Sequence, residues 1–463
     1  MNENSHFVTG LDIGTENVRA VVLSTEKEGE YTVVGYNEGK SEGMRKGVPA
    51  NLTGPASAAD KMLAEVQHMC GSPINSAYVS INGSQIVSDN VEGMIAIGTV
   101  EHEIDFNDLA RVEEVARMGK VPANRSVLDI VPLEYAIDGQ GGIKDPVGMT
   151  GTRLELKACI VSALTPNVEN LYKATETADI STLRLVPSVV AAAKAVLTER
   201  QKENGVAVVD MGAATTSVAV FEEGDLQYVG VVPAGSNNIT NDLAIVLAIE
   251  PELAEEIKER FVTGDFNTEK SSAIRVGKDE RAFDRKEVEQ VARERLEEIF
   301  MEVRKKLKNA KYDQRLPEGI VLVGGGAKMR DVEIFAKEIL EASVKIGVPS
   351  GLGGMANDVS KPEYAASIGL AMMAAEDNAG NNDSSNHKNR KIKKPEHTKK
   401  VSEGFLKKFF SSALQGALAF IAVNLTGMIT GVTLSVNWFT ICSAMLYGIP
   451  GCIMLLVTQI LFR

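Results

Sequence analysis

Cysteine is scarce in this chain, and where it stands says little for cross-linking. Cys70, Cys159, Cys442 and Cys452 are the four in 463 residues, and none makes a C-x-x-C pair. Reduced thiols in the cytosol are therefore expected. Basic charge is short as well: 49 Lys and Arg face 62 Asp and Glu, for a net charge of −13. That balance argues against a nucleic-acid surface, and no nucleic-acid partner is expected. The opening residues, MNENSHF, lack both a basic n-region and an apolar core, so no signal peptide is expected. N-x-S/T triplets such as Asn82-Gly83-Ser84 are then chance matches. Apolar residues all but vanish from Asp377 to Lys400, which reads as a flexible linker. Charge, in turn, is missing from Ala413–Leu434 and Trp438–Phe462. Each of these runs is long enough to cross a hydrocarbon core of ~30 Å. Gly448-Ile449-Pro450-Gly451 would break the second, which leaves two spans or a re-entrant hairpin open.

What is present centres on Gly205–Leu226, GVAVVDMGAATTSVAVFEEGDL. Val206–Val209 reads as a buried strand with Asp210 at its end. Gly212, Ala213 and Ala214 let the backbone turn tightly and approach a ligand. Thr215 and Thr216 add hydroxyls, and Val218–Phe221 returns to the sheet. A strand–loop–strand of this kind suits phosphate, because backbone N–H groups can wrap its oxygens. An acid beside it can hold a metal ion's water shell. Val8–Leu23 repeats the pattern, with Asp12, Gly14, Thr15 and a returning strand from Val18. A single such hairpin is most often only a hairpin. Two copies suggest duplicated halves facing each other across a cleft. A third stretch, GIVLVGGG from Gly319 to Gly326, precedes a helical pattern over Val332–Leu340 and offers open N–H groups and room for a flat ring.

These three stretches, in this order, resemble the superfamily of actins, sugar kinases and heat-shock-chaperone ATPases. Within it the chain resembles the FtsA family of bacterial division actins. LDIVPLEYAIDGQGGIKDPVGMTGTRLE, residues 128 to 155, looks like that family's own signature. The resemblance covers about residues 7 to 375. It implies an α/β, two-lobed actin-like ATPase fold with an inserted α+β subdomain, followed by a disordered linker and C-terminal membrane helices. The expected division is 1–82 for the first part of lobe 1 and 83–164 for the insert. Residues 165–204 complete lobe 1, 205–376 form lobe 2, 377–403 form the basic linker, and 404–463 form the membrane tail.

Along the chain, Ala56–Met69 reads as a helix, Tyr78–Ile81 as a strand and Glu92-Gly93 as a turn. Asp105 reads as the N-cap of a helix Phe106–Met118. Val127–Pro132 and Arg153–Leu164 alternate as strands, with Gly139–Gly151 as the loop between. Asn167–Ala178 is expected to be helical, and Leu185–Leu197 to be a Pro-started helix with small residues on one face. Glu199–Asn204 reads as a polar link. Ile239–Lys311 is expected to be helical and charged, including Glu252–Phe261 and a long helix Arg281–Lys308. Val344–Gly347 reads as a final strand. Tyr364–Ala375 reads as a second small-residue helix that crosses the first at the hinge.

The resemblance implies ATP with Mg²⁺ as ligand. Asp12, Gly14, Thr15 and Asn17 would act from one side, and Asp210, Gly212, Ala213, Thr215 and Thr216 from the other. Asp12 and Asp210 would reach the metal through water. Gly324, Gly325 and Gly326 would flank the base. Glu255 and Lys258, by spacing alone an ordinary ion pair, would touch ribose and base. Slow or absent hydrolysis is expected. Asn17 stands where the family often has a phosphate-binding Lys, Ser217 replaces a second acid, and Val186 stands where relatives put Glu or Gln. Arg285 and Arg295, by pattern a solvated face, would meet the acidic C-terminal tail of FtsZ. Other implied partners are further copies of the chain in a filament, later division proteins and the cytoplasmic membrane. The implied location is the cytoplasmic side of the inner membrane at the division site. A superfamily kinase, an active ATPase and a pilus-assembly actin are the alternatives.

Near the C-terminus, Phe405, Leu406, Phe409 and Phe410 surround Lys407 and Lys408 as in a membrane-surface helix. From Gly416 to Gln459 the chain resembles the BofA family, membrane proteins that restrain an intramembrane metalloprotease. Asn424, Asn437 and Thr440 would lie at membrane depth, either as helix–helix hydrogen-bonding groups or against a protease.

Overall fold

The computed structural model describes residues 6–25, 29–98, 102–266, 273–276, 281–383 and 424. The chain divides into two units, Met1–His387 and Lys388–Arg463. Of the second, only Asn424 is described, and it is helical. The expectations for Phe405, Leu406, Phe409, Phe410, Asn437, Thr440 and both apolar runs lie outside the described residues. Among the described residues no helix is long and apolar enough to cross a membrane.

The first unit opens with an antiparallel meander of β1 (His6–Ile13), β2 (Asn17–Thr25) and β3 (Tyr31–Lys40). The ribbon β4 (Met44–Arg45) and β5 (Val48–Pro49) follows. Helix α1 (Thr53–Cys70) ends at Gly71, whose φ of 66° needs the left-handed region. β6 (Ser76–Ile81) then runs parallel to β1.

The insert comprises β7 (Val87–Ala96), α2 (Phe106–Arg117), β8 (Arg125–Ile137), β9 (Gln140–Ile143) and β10 (Arg153–Leu164). They form a four-stranded sheet ordered β7-β10-β8-β9, with α2 packed on it. Asp105 caps α2 in a reciprocal box with Asp108. Two expectations fail here. Glu92-Gly93 is mid-strand and not a turn. A Cβ on Gly93 would lie 2.8 Å from Ala116 Cβ, so the glycine is there to let α2 lie close. Gly139–Gly151 is not all loop, because Asp138 (φ 51°) and Gly139 (φ 89°) make a two-residue hairpin turn into β9.

Helix α3 (Thr165–Thr177) and β11 (Ser181–Pro187) return to the first sheet. The expected helix from Leu185 starts late. Leu185 and Val186 are strand residues, and α4 occupies Ser188–Val196. Pro187 explains this, because its ring disfavours helical backbone at Val186. The polar link is itself a helix, α5 (Glu199–Asn204), capped by Thr198.

A second meander follows, β12 (Val206–Met211), β13 (Thr216–Glu222) and β14 (Asp225–Val232). After it come α6 (Ser236–Val246) and α7 (Pro251–Phe261). Ile239–Lys311 is not helical throughout: β15 (Ala273–Val276) pairs with β16 (Arg281–Asp284) before α8 (Arg285–Asn309). Asp284 accepts the N–H of Lys286 and so fixes the start of α8 at Arg285 rather than Arg281. β17 (Ile320–Val323), a 3₁₀ turn at Gly325–Lys328, α9 (Val332–Leu340) and β18 (Val344–Ile346) complete this sheet. β18 is not the final strand, since β19 (Leu352–Gly354) joins β3 in the first sheet. α10 (Ala356–Val359) and α11 (Ala365–Asp383) end the described part of the unit.

The sheet orders are β11-β6-β1-β2-β3-β19 and β14-β13-β12-β17-β18. Each has an antiparallel meander and two strands added in parallel beside its first member, which is one plan used twice. The span 205–376 is not a continuous second lobe: α11 packs on β1, β2 and β6 of the first. Its meeting with α4 is very close, since a Cβ on Gly369 would stand 1.7 Å from the Ala191 carbonyl oxygen. The linker reading fails for Asp377–Asp383, which continue α11. Lys194 binds Glu376 at 2.7 Å, and Tyr78 and Arg184 both engage Asp377.

Candidate functional site

Each meander turns with the same geometry. Gly14 N–H donates to Asn17 O at 3.0 Å, and Gly212 N–H donates to Thr215 O at 3.0 Å. A Cβ would lie 2.7 Å from that oxygen at Gly14 and 2.9 Å at Gly212, so both turns require glycine. Asp12 faces Arg19 across its hairpin, and Asp210 faces Ser217 across the other. The tips line a cleft of about 450 Å³, together with Thr15, Asn17, Ala213 and Thr215. Thr216 is not brought there. It is fully buried, and its hydroxyl donates to Ala234 O at 2.8 Å. Strand alternation turns Thr215 and Ser217 to the cleft and Thr216 away from it.

Asp12 is buried in this cleft and Asp210 is half-buried there. Burial raises the Asp12 carboxyl above its ordinary range, against the pull of Ser80 and Arg19. Asp210 is pushed up to about 6, first by burial and then by the charge of Asp12, although Ser188 Oγ donates to it at 2.7 Å. Oδ1 of Asp12 has no hydrogen-bond partner. Two neighbouring acids, one buried and with a free oxygen, fit a cation. Among the described residues no three His, Cys, Asp or Glu side chains converge as a metal cage. Two carboxylates beside the turns can hold the water shell of a hard cation.

The third wall is the glycine run. Gly324 has φ 88°, donates to Pro362 O at 2.9 Å, and carries no Cβ because one would strike Asp210 Oδ1 at 2.3 Å. Gly326 is pressed on Met211. A Cβ at Gly325 would meet nothing within 4 Å. Glu255 and Lys258 also reach the cleft, 2.6 Å apart. They are not an ordinary surface pair: Lys258 is 7% exposed and also bonds Thr240 Oγ1 at 2.9 Å.

Several cleft residues escaped the sequence reading. Arg19 binds Glu38 at 2.7 Å, and Lys328 lies 3.3 Å from Glu363. Glu16 accepts from Lys40 at 2.8 Å and from Asn237, across the cleft, at 2.9 Å. Arg19 could have been found, since it follows Asn17 by two and so shares its strand face. The others converge only through the tertiary fold. Val186 does not line the cleft but sits in an apolar cluster. Arg285 and Arg295 lie on α8, away from the cleft. Arg285 binds Glu289 at 2.6 Å, and Arg295 forks onto Asp242 at 2.5 and 3.1 Å.

Two lobes of one plan, an acid-bearing hairpin from each, and a glycine-walled cleft between them define an actin-like ATPase fold with an inserted sheet domain. The PilM–PilN type IV pilus biogenesis complex shares this fold at a TM-score of 0.60, with 16% identity over 79% of this chain and 98% of that one. The chain is 34% identical over 376 residues to the cell division protein FtsA of Pseudomonas aeruginosa, covering 80% of this chain and 89% of the relative. It is 30% identical over 379 residues to that of Bacillus subtilis, covering 81% and 84%. The sequence model of cell division protein FtsA matches residues 207–369, and that of the SHS2 domain inserted in FtsA matches 83–162. The chain belongs to the FtsA family of cell division proteins. A third model, of the SigmaK-factor processing regulatory protein BofA, matches residues 402–461.

Proposed function

We propose that this protein is an ATP-binding actin homologue that assembles into filaments and tethers FtsZ polymers to the cytoplasmic face of the inner membrane at the division septum. The observation that carries the nucleotide reading is the convergence of Asp12, Asp210 and the bare Gly325 edge on one cleft. The tip amides around Gly14–Asn17 and Gly212–Thr215 would wrap phosphate oxygens. Gly324–Gly326 would leave room for the base, with Glu255 and Lys258 beside it. Mg²⁺ supplies charge neutralisation to the phosphates, and Asp12 and Asp210 would hold its water shell. Hydrolysis is slow or absent in this reading. Ser217 supplies no acid and Val186 no polar group for the attacking water, and Asn17 brings no charge. Each such loss typically costs a few kcal/mol of barrier.

For the FtsZ tail, Arg285 and Arg295 remain the candidate contacts, since guanidinium forks suit carboxylates. An incoming peptide must displace Glu289 and Asp242. The match of 402–461 to BofA and the two uncharged runs support an integral membrane tail. That match also favours a second reading for the tail, regulation of an intramembrane protease. Light microscopy of the labelled chain in dividing cells tests the main reading. A mid-cell band is expected, and diffuse fluorescence contradicts it.

A further inference from the structure

Among the described residues four cationic side chains line the cleft, and two of them, Arg19 and Lys258, are buried and committed to the fold. Arg19 is 9% exposed and bound to Glu38. Lys258 is held by Glu255 and Thr240; Lys328, 60% exposed, lies against the buried Glu363 on the glycine wall, away from the β1–β2 tip. Lys40 differs. It is the last residue of β3 and stands directly opposite Asn17 in the β2–β3 pairing. Directly opposed residues project to the same face of the sheet with Cβ atoms about 5 Å apart. Lys40 therefore shares its face with the tip residue from which a phosphate-binding charge is missing. Its partner is Glu16 at 2.8 Å, in a pair whose side chains are 76% and 43% exposed. Exposed pairs of this kind are weak, and a lysine's long stem can carry its charge to a new partner.

Glu16 is the second half of the observation. It belongs to the same tip, lies between Gly14 and Asn17, and bonds Asn237 of the opposite lobe at 2.9 Å. Its carboxylate thus links a lysine of one lobe to an amide donor in the first turn of α6 in the other. These are groups that would equally serve a phosphate oxygen.

We propose that Lys40 is the cation that binds the terminal phosphates of the nucleotide, in place of the charge Asn17 lacks, and that Glu16 competes with those phosphates for it. This rests on the nucleotide reading above. The two residues of one ion pair then have opposite effects, which a merely structural pair does not give. Titration calorimetry of Mg-ATP and of adenosine with the full chain tests it. Lys40→Met is expected to weaken Mg-ATP binding about tenfold, as for loss of one hydrogen bond to a charged group, and to leave adenosine unchanged. Glu16→Gln is expected to tighten Mg-ATP binding. Asn17→Lys added to Lys40→Met is expected to restore it. Equal thermal melting of the variants shows that they are folded. If Lys40→Met binds Mg-ATP as the unaltered protein does, or Glu16→Gln weakens binding, Lys40 is an ordinary surface lysine and the proposal fails alone. If the unaltered protein binds no Mg-ATP, the nucleotide reading fails and this one with it.

Discussion

Asp12 and Asp210 were legible in sequence because everything that marks them is local: an apolar strand, an acid at its end and a glycine two residues later. Their electrostatics were not legible, since burial and their mutual repulsion depend on the two lobes meeting. Burial first, and that repulsion after it, give a pH signature. Asp210 has its carboxyl raised to about 6 in the folded chain. Between about pH 4 and 6 the folded form then holds a proton that the unfolded form has lost, so stability falls as pH rises through that window. A rise of that size corresponds to about 3 kcal/mol. Without nucleotide, Asp210→Asn is expected to flatten this slope and to be the more stable protein at neutral pH. Mg-ATP binding to the same variant is expected to be weaker. Urea unfolding across pH 4–7 measures the slope, and an unchanged slope in the variant would show that Asp210 is not the group responsible. Thr216 teaches the converse lesson. Its hydroxyl adjoins that of Thr215 in sequence, but alternation sends it into the core, and only the strand register reveals this.

At the scale of elements, patterns with local chemical punctuation were readable. Asp105 before Phe106 gave the start of α2 to the residue. The failures have nameable causes. Leu185-Val186 reads as helix because the apolar run continues through Pro187, whereas the proline makes it two elements. The polar residues Asp377–Asp383 read as linker because composition cannot see Tyr78 and Arg184 waiting for Asp377. The small residues of α4 and α11 were correctly read as a close crossing, and Gly369 is its tightest point. Gly369→Ala puts a methyl group into the Ala191 carbonyl and is expected to destabilise the chain by about 1–3 kcal/mol, the usual cost of overpacking. Gly325→Ala meets nothing and serves as the control. The comparison is a pair of denaturant midpoints. Equal midpoints would mean that the two helices can separate without loss.

For the whole molecule, the duplicated plan was foreshadowed by two similar hairpins, but β19 and α11 returning to the first lobe was not, because a chain's last elements carry no mark of which sheet they will join. Two forecasts belong at this scale. The first concerns FtsZ. Arg285→Gln with Arg295→Gln removes both forks without setting new charge against Glu289 and Asp242. It is expected to weaken binding of an acidic FtsZ tail peptide strongly, and added salt is expected to weaken the unaltered protein. Fluorescence anisotropy reads both, and unchanged affinity would return these arginines to a solvated face. The second concerns the tail. Alkaline carbonate is expected to leave the full chain in the membrane pellet and to release a chain truncated after Leu414, since only the former has two uncharged runs to hold it. Release of both would contradict insertion.

The central claim, that the cleft between the lobes is a nucleotide site, is tested most directly at Gly325. Its missing side chain touches no part of the protein, so a substitution there probes the cleft and little else. Calorimetric titration of Mg-ATP into the unaltered chain and into Gly325→Glu, with thermal melting to show both folded, is the measurement. The expected result is binding by the first and none by the second, because the new carboxylate fills the space for the base with a charge. Equal affinity in the two, with both folded, would contradict the account.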